Sequence, residues 1–249
     1  MKIIFKDSEL SNEEPDALKK RRLVTESPKF SRWLEKLKIE FAIEEVMINK
    51  VHFFRGKPGF IFAEAKGTYR DSNSPVLGIT LIRGDSVAIL PILYAPDGKT
   101  YTLVLHQARI AIADPDFVEI PAGMLDEGVF VNKAIEELKE EIGDDFLITE
   151  KDLIPLDTIY PSPGGCDEEI QIFAFEYHMT WEGIHSLEGR HSGSALENEH
   201  IVIEVIPIEE LPFKASRDMK ARMAHYAWCA MKELVPVVTR ELPRQNLKI

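Results

Sequence analysis

The sequence predicts an α/β (α+β) fold, an α/β/α sandwich with a mixed sheet that is preceded by a smaller N-terminal antiparallel β-sheet domain. One observation is that residues 44–83 consist of segments rich in β-branched and aromatic residues, separated by turn-forming residues. The other is that strand-like segments and segments of helical periodicity both follow residue 84. Strands with helices on both sides form such a sandwich. We therefore expect two domains, residues 1–84 and residues 85–249.

The N-terminal part is expected to contain a short amphipathic helix before its strands. In KFSRWLEKLKIEF, which follows Ser27 and Pro28, apolar side chains recur at helical spacing, namely Phe30, Trp33, Leu34 and Leu37. Strands are predicted next at residues 44–54, 59–69 and 76–83. Glycine, proline, asparagine and aspartate lie between these segments, which favours turns and an antiparallel sheet.

The C-terminal part is expected to combine strands and helices. A hairpin is predicted from residues 87–93 and 101–109, which a Pro-Asp-Gly turn separates. The other predicted elements are a short strand at 117–120, an acidic helix, strands near 153–160, at 169–178 and at 200–207, and a final helix. In that final helix the expected core contacts are Met219, Met223, Tyr226, Ala227 and Ala230.

The composition is that of an ordinary globular protein, with 45% hydrophobic and 29% charged residues among 249. A net charge of −12 disfavours non-specific binding to nucleic acid or anionic membranes. Two cysteines provide neither a disulfide framework nor zinc-ligand spacing, which favours a reducing compartment. The first twenty residues lack the apolar segment of a signal peptide, and no apolar run approaches the roughly 18 residues of a membrane span. We expect a soluble, cytoplasmic protein.

The segment FVEIPAGMLDEGVFVNKAIEELKEEIG, residues 117–143, contains the candidate metal-binding residues. As a helix its second half has one apolar stripe, formed by Val131, Ala134, Ile135, Leu138 and Ile142. Glu137, Glu140 and Glu141 share a sector outside that stripe, although like charges at i, i+4 cost roughly 0.2–0.5 kcal/mol a pair. A solvated acidic face would explain them, and so would a site for Mg²⁺, which prefers oxygen ligands. A tight turn at Pro121, Ala122 and Gly123 would place carbonyl oxygens beside the helix, which favours the metal site.

This segment resembles the Nudix box, whose pattern is G-x5-E-x7-R-E-U-x-E-E-x-G-U with U a bulky aliphatic residue. Gly123 opens it, and its second half is filled by Glu137, Leu138, Glu140, Glu141 and Gly143. The chain departs from the pattern at Glu136, where the box has arginine, and at Val129, which stands near the first box glutamate. The loop is also one residue short, and Asp144 occupies the last aliphatic position. The resemblance implies the Nudix α/β/α sandwich and Mg²⁺ or Mn²⁺ held by Glu137, Glu140, Glu141 and the Ala122 carbonyl.

Gln107 and Arg109, at the end of a predicted strand, are candidate substrate-binding residues. By position alone a surface salt bridge would explain Arg109. However, Nudix enzymes of the ADP-ribose branch have a similar Gln-x-Arg at this point, where the arginine binds the substrate. The resemblance therefore implies that Arg109 binds a diphosphate bidentately, with Glu119 as a second candidate on the nucleoside side.

Two later segments resemble the same branch. YPSPGGCDEE, residues 160–169, could be a plain rigid turn, yet ADP-sugar diphosphatases have a proline at about this distance from the box. The segment LENEH, residues 196–200, resembles a loop of ADP-ribose pyrophosphatases that closes on the substrate and supplies the catalytic base. The match implies Glu199 first and Glu197 second as the base, with His185, His191 and His200 as alternatives by their usual pKa. The resemblance extends from about residue 42 to residue 235.

Together these features imply a metal-dependent ADP-sugar diphosphatase that converts ADP-ribose or ADP-glucose to AMP and a sugar phosphate. Glu141 belongs to both the catalytic and the metal-binding set, since metal and base act on one water. The alternatives are a UDP-glucose diphosphatase and a non-catalytic protein that binds nucleotide sugars. The resemblance also implies a homodimer with intertwined N-terminal regions, and neither nucleic acid nor membrane is an expected partner.

Overall fold

The structure is a computed structural model that describes residues 1–125, Ile135, Lys139, residues 149–192 and residues 200–232. Two β-sheets organise this part of the chain, a four-stranded sheet before residue 83 and an eight-stranded sheet from residue 86 onward. No helix among the described residues is long and apolar enough to cross a membrane.

The smaller sheet has the order β1-β2-β3-β4, and its strands are β1 (Lys2–Phe5), β2 (Phe41–Phe54), β3 (Lys57–Tyr69) and β4 (Pro75–Ile82). β2, β3 and β4 are antiparallel, as predicted, whereas β1 joins the edge of β2 in parallel. One face of the sheet packs on helices α1 (Pro15–Thr25) and α2 (Pro28–Glu40). The amphipathic helix predicted from KFSRWLEKLKIEF is confirmed, since Phe30 and Leu34 are buried in that core.

The larger sheet is mixed and has the path β11-β12-β6-β5-β10-β9. Its strands are β5 (Ser86–Tyr94), β6 (Thr100–Arg109), β7 (Asp114–Glu119), β8 (Ala122–Met124), β9 (Leu153–Ile159), β10 (Ile170–His178), β11 (His191–Ser192) and β12 (Ile201–Pro207). β10 lies parallel to β5, and the other pairs are antiparallel. The helices that are described from end to end in this part are α3 (Trp181–Leu187), α4 (Leu211–Lys214) and α5 (Met219–Met231), and 3-10 turns lie at Ile110–Ile112, Glu150–Asp152 and Ile208–Glu210.

Each face of the larger sheet is covered by its own hydrophobic core. One core joins β5, β6 and β10 to Leu187 of α3 and to Ile135, a helical residue of the acidic segment. The other joins the alternate residues of the same strands to α5. The predicted α/β/α sandwich with a mixed sheet is therefore confirmed, and Ile135 points inward as its apolar stripe requires.

The predicted core face of α5 is wrong for three of its five residues. Met219, Tyr226 and Ala230 are exposed and Ala227 is only partly buried, whereas the predicted core contact of Met223 is confirmed. The residues that are fully buried are Ala221, Ala224, Trp228 and Cys229. Both sets have helical spacing, so periodicity alone could not separate them. The stripe that faces the sheet combines Ala221 and Ala224 with Trp228 and Cys229.

The predicted tight turn at residues 121–123 is also wrong. Ala122–Met124 is a strand that pairs with the beginning of β5, and the Pro121 carbonyl accepts a hydrogen bond from Ile89 N–H at 2.9 Å. A proline has no N–H to give to a ladder but can still accept, so it is tolerated at the start of a strand. The chain therefore continues in extended form toward the acidic segment.

The two sheets are joined where the chain passes from β4 to β5. Gly84 has a φ of +90°, in the left-handed region that favours glycine, and Asp167 accepts hydrogen bonds from the N–H groups of Arg83 and Gly84. Leu81 forms an isolated bridge with Cys166, which ties β4 to the segment after β9. A cavity of about 330 Å³ lies between α2, the two sheets and residues 160–167.

Candidate functional site

The candidate site lies where β5 and β6 diverge. These two strands pair only at Leu93 and Tyr94 with Tyr101 and Thr100. Beyond that point β7 pairs with β6 and β8 pairs with β5, so both strands lie between them. The segment that follows β8 contains the predicted metal ligands, and β6 ends at Arg109, the predicted diphosphate ligand.

Arg109 is held by Glu119, the last residue of the adjacent strand β7. Its Nε donates to Glu119 Oε1 at 2.7 Å, and its Nη2 contacts the same oxygen. The Glu119 side chain is only 4% exposed, whereas the Arg109 side chain is 40% exposed. The buried Glu119 carboxylate thus holds one edge of the Arg109 guanidinium, and the rest of the guanidinium is exposed. Its planar array of N–H donors can bind two phosphate oxygens at once.

A buried lysine completes this group of charges. Lys220 Nζ lies 3.0 Å from Glu119 Oε2 and 2.9 Å from Asp218 Oδ1. Burial lowers the pKa of Lys220, but the two carboxylates outweigh it and the pKa is raised, so the ammonium stays charged. Asp218 also caps the N-terminus of α5 and accepts from Ile120 N–H at 3.2 Å, which fixes the helix to the end of β7.

Ala122, the predicted carbonyl ligand, lies in a non-hydrogen-bonded position of the pairing between β5 and β8. Beside the pairing of β5 with β8, the Pro121 carbonyl accepts from Ile89 N–H and Leu125 N–H donates to the Asp85 carbonyl, and Ala122 lies opposite Ala88 one residue from Pro121. Because bonded and non-bonded pairs alternate in an antiparallel ladder, the Ala122 carbonyl points away from β5, toward the side of β6 and β7. Among the described strands β8 pairs only with β5, and carbonyl oxygens are among the ligands that hard cations take.

The predicted carboxylate ligands Glu137, Glu140 and Glu141, and Glu136 beside them, lie outside the described residues. Within the described ranges no three histidine, cysteine, aspartate or glutamate side chains are grouped to hold a metal ion. Metal binding by the acidic segment therefore stays a prediction.

The predicted bases Glu197 and Glu199 also lie outside the described residues, but the strands that flank them are described. Ser192 of β11 pairs with Ile201 of β12, and Val202 lies opposite His106 of β6. The segment between residues 192 and 201 therefore ends beside the end of β6, where Arg109 lies, and starts in the next strand but one from β6. Of the alternative histidines, His185 stacks on Trp181, while His191 and His200 are exposed.

Gln107 is 8% exposed and lies opposite Phe117 of β7. Its neighbour His106 lies between two carboxylates, with Nδ1 at 2.9 Å from Asp116 and Nε2 at 3.0 Å from Glu204. Partial burial opposes protonation, but both carboxylates favour it and the pKa of His106 is raised. His106 thus ties β6 to β7 and β12 just before Arg109.

Comparison with known proteins places this site in a family, although no family model matches the chain. Over 218 aligned residues the chain is 34% identical to Nudix hydrolase 14, chloroplastic, of Arabidopsis thaliana. The alignment covers 80% of this chain and 69% of that protein. The chain belongs to the Nudix hydrolase family. The Nudix box identified in the sequence is consistent with this assignment.

Other relatives narrow the branch of the Nudix family. The chain is 34% identical over 139 residues to ADP-ribose pyrophosphatase of Haemophilus influenzae, covering 52% of this chain and 58% of that protein. It is 34% identical over 146 residues to GDP-mannose pyrophosphatase of Salmonella typhimurium, covering 55% of this chain and 64% of that protein. A solved structure described as an ADP compounds hydrolase superposes with a TM-score of 0.53 at 15% identity, covering 79% of this chain and 97% of that chain, which shows the fold. The predicted resemblance to the ADP-ribose pyrophosphatase branch of the Nudix family is confirmed.

Sequence reasoning missed Lys220 and Asp218. An aspartate before a helical segment is a recognisable N-cap signal, so Asp218 could have been placed at the start of α5. Lys220 is separated from Glu119 by 101 residues, and no local pattern links the two.

Proposed function

We propose that the chain hydrolyses the diphosphate bond of nucleoside diphosphate sugars, with ADP-ribose or ADP-glucose as substrate and AMP and a sugar phosphate as products. The observation that carries this proposal is the partly exposed Arg109 guanidinium, anchored on the buried Glu119 where β5 and β6 diverge. The named activity of the relative from Haemophilus influenzae supports ADP-ribose. That of the relative from Salmonella typhimurium supports GDP-mannose as a second candidate.

In this proposal Arg109 binds the diphosphate and Gln107 lies beside it in the same strand. Both oxygens of Glu119 are already bonded, one to Arg109 and the other to Lys220. This arrangement supports Glu119 as the anchor of Arg109 rather than as a contact to the nucleoside.

The metal-binding group of the proposal consists of Glu137, Glu140, Glu141 and the Ala122 carbonyl, with Mg²⁺ or Mn²⁺ as the cation. A bound divalent cation would neutralise diphosphate charge and lower the pKa of a bound water. Glu199, or else Glu197, then accepts the proton of the attacking water, and the charge of Arg109 stabilises the negative charge on the diphosphate. The orientation of the Ala122 carbonyl and the position of residues 192 and 201 support this placement.

A panel of substrates tests the proposal. The purified chain should release AMP from ADP-ribose or ADP-glucose with Mg²⁺ or Mn²⁺, and EDTA should abolish the reaction. UDP-glucose and GDP-mannose are the comparison substrates, and faster hydrolysis of either would replace the proposed nucleotide. Binding of all four without hydrolysis under any metal condition would establish a non-catalytic nucleotide-sugar-binding protein instead.

We also propose a homodimer that forms through a first domain of residues 1–84, preceding a hydrolase domain of residues 85–249. The face of the smaller sheet opposite its core has apolar side chains in the open, with Leu77 69%, Ile79 55% and Phe62 43% exposed. Light scattering after size exclusion should give twice the 28.3 kDa chain mass, and Leu77→Glu should give a monomer. Ile39→Glu is the matched control, because Ile39 is also 69% exposed but lies on α2. A parental monomer would contradict this proposal.

The cytoplasmic location also stays a prediction, since the relative from Arabidopsis thaliana is named chloroplastic.

A further inference from the structure

Lys220 is a buried cation for which the proposed reaction has no direct use. Its side chain is 16% exposed and lies between Glu119 and Asp218, which are 4% and 3% exposed. Burying a charged lysine is costly unless its partners compensate, and the two carboxylates do so here. Since one of these carboxylates also holds Arg109, Lys220 acts on the arginine that the proposed function assigns to the diphosphate.

Lys220 belongs to a group of four charged side chains whose total charge is zero. Arg109 and Lys220 are cations, and Glu119 and Asp218 are anions, joined in a row by contacts of about 3 Å or less. Without Lys220, two buried carboxylates would be left with one guanidinium. That guanidinium would then be drawn toward the carboxylates, and its charge would be less available to a diphosphate.

The geometry of Glu119 adds a second effect. Arg109 bonds one carboxylate oxygen, and Lys220 bonds the other from α5. The carboxylate is therefore held from both sides, which prevents rotation and fixes the bonded edge of Arg109. A binding group that is fixed beforehand loses less conformational freedom when its ligand arrives.

We propose that Lys220 is a positioning residue for diphosphate binding, because it holds Glu119 from the side opposite Arg109 and keeps the guanidinium charge available to the substrate. This inference rests on the role of Arg109 in the proposed function. Lys220 itself does not touch the substrate, so its removal acts on binding through Arg109.

The test is a comparison of KM with kcat on whichever substrate of the panel is hydrolysed fastest. Lys220→Met should raise KM on the order of 10-fold, the worth of a weakened charge-assisted contact, and should change kcat much less. Lys220→Arg keeps the positive charge and should restore most of the lost affinity. The control is Lys232→Met, since Lys232 follows the C-terminal end of the same helix and pairs at 2.7 Å with Glu176 of β10 instead of with Glu119. Its KM should equal that of the parent.

A double-mutant cycle with Arg109→Ala separates this inference from the proposed function. If Arg109→Ala leaves KM unchanged, Arg109 does not bind the diphosphate and the proposed function loses its main support. If Arg109→Ala raises KM while folded Lys220→Met does not, only the role of Lys220 is overturned. The expected result is that both raise KM and that the double variant is no worse than Arg109→Ala, because both act through one guanidinium.

Lys220→Met leaves the buried Asp218 without its ion-pair partner and Glu119 with Arg109 alone, so it could fail to fold. The variant Glu119→Gln/Lys220→Met removes one of those charges together with the lysine and provides the folded alternative. Its KM should also rise on the order of 10-fold, because Arg109 no longer has a fixed anionic anchor. A parental KM in that variant would overturn the proposal.

Discussion

Arg32 Nη1 lies 2.8 Å from a carboxylate oxygen of Asp85. This ion pair joins helix α2, which packs on the smaller sheet, to the residue just before β5 of the larger sheet. The Asp85 side chain is 3% exposed and that of Arg32 is 35% exposed. Lys36, one helical turn further on, pairs with Glu169 at 2.9 Å. Two cations of α2 therefore neutralise carboxylates at the edge of the larger sheet.

Arg32→Met should lower the free energy of unfolding by about 1–3 kcal/mol, because a buried carboxylate would lose its ion-pair partner. Burial already raises the pKa of Asp85, against the opposing charges of Arg32 and Lys36. Protonated Asp85 needs no partner, so the loss should shrink as the pH falls through the acid range. Urea unfolding of both proteins at several pH values measures it. Arg22→Met, on the exposed side of α1, should be close to neutral, and an equal loss there would refute the explanation.

His106→Gln should remove a pH-dependent part of the stability. The folded-state pKa of His106 is raised above its usual value of about 6.5, so the stabilisation is fully present below that pH and is lost as the pH rises through the folded pKa. The parent should exceed the variant by about 1 kcal/mol near pH 6, since the ion pairs are partly exposed, and by less near pH 8.5. Urea midpoints at both pH values give the comparison. His52→Gln, at an exposed position of β2, serves as the control and should have the parental urea midpoints.

Ala224→Leu should destabilise the fold by about 1–3 kcal/mol, because Ala224 is fully buried between α5 and the sheet and leaves no room for a larger side chain. Ala230→Leu places the same side chain on the exposed face of that helix and should be close to neutral. Thermal unfolding of the two variants measures the difference. The opposite order would restore the core face predicted from the sequence.

Glu141→Gln should abolish metal-dependent hydrolysis without destabilising the metal-free protein. The predicted helix places Glu141 and Glu137 at i, i+4, where like charges repel, so removing one charge relieves repulsion unless a cation is bound. Initial rates against Mg²⁺ concentration and the melting temperature in EDTA are the two measurements. Full Mg²⁺-dependent activity in this variant would remove the acidic segment from the proposed site.

The sequence was sufficient for elements whose signal is local. The strands from β2 to β6 and helix α2 have clear periodicity, and the resemblance to the Nudix box led to the sandwich. It was not sufficient for α1, whose sequence PDALKKRRLVT buries only Ala17 and Val24 and so shows no apolar stripe. β1 is four residues long and is stabilised by β2, about 40 residues away, and the buried contact of Lys220 with Glu119 likewise depends on the folded chain.

The segment from Asp114 to Met124 has a consequence for how the chain tolerates changes of length. Its first strand, β7, pairs with β6 and its second strand, β8, pairs with β5. Only Ile120 and Pro121 separate β7 from β8. Because successive residues of a strand point to opposite faces, inserting or deleting one residue here would turn either Glu119 or Ala122 to the wrong side. The turn at Pro96–Gly98 has no such constraint, since it joins β5 to β6 at the end opposite Arg109 and a Cβ added at Gly98 would meet no atom within 4 Å. Insertions and deletions should therefore be tolerated in that hairpin turn and excluded from the connection of β7 to β8.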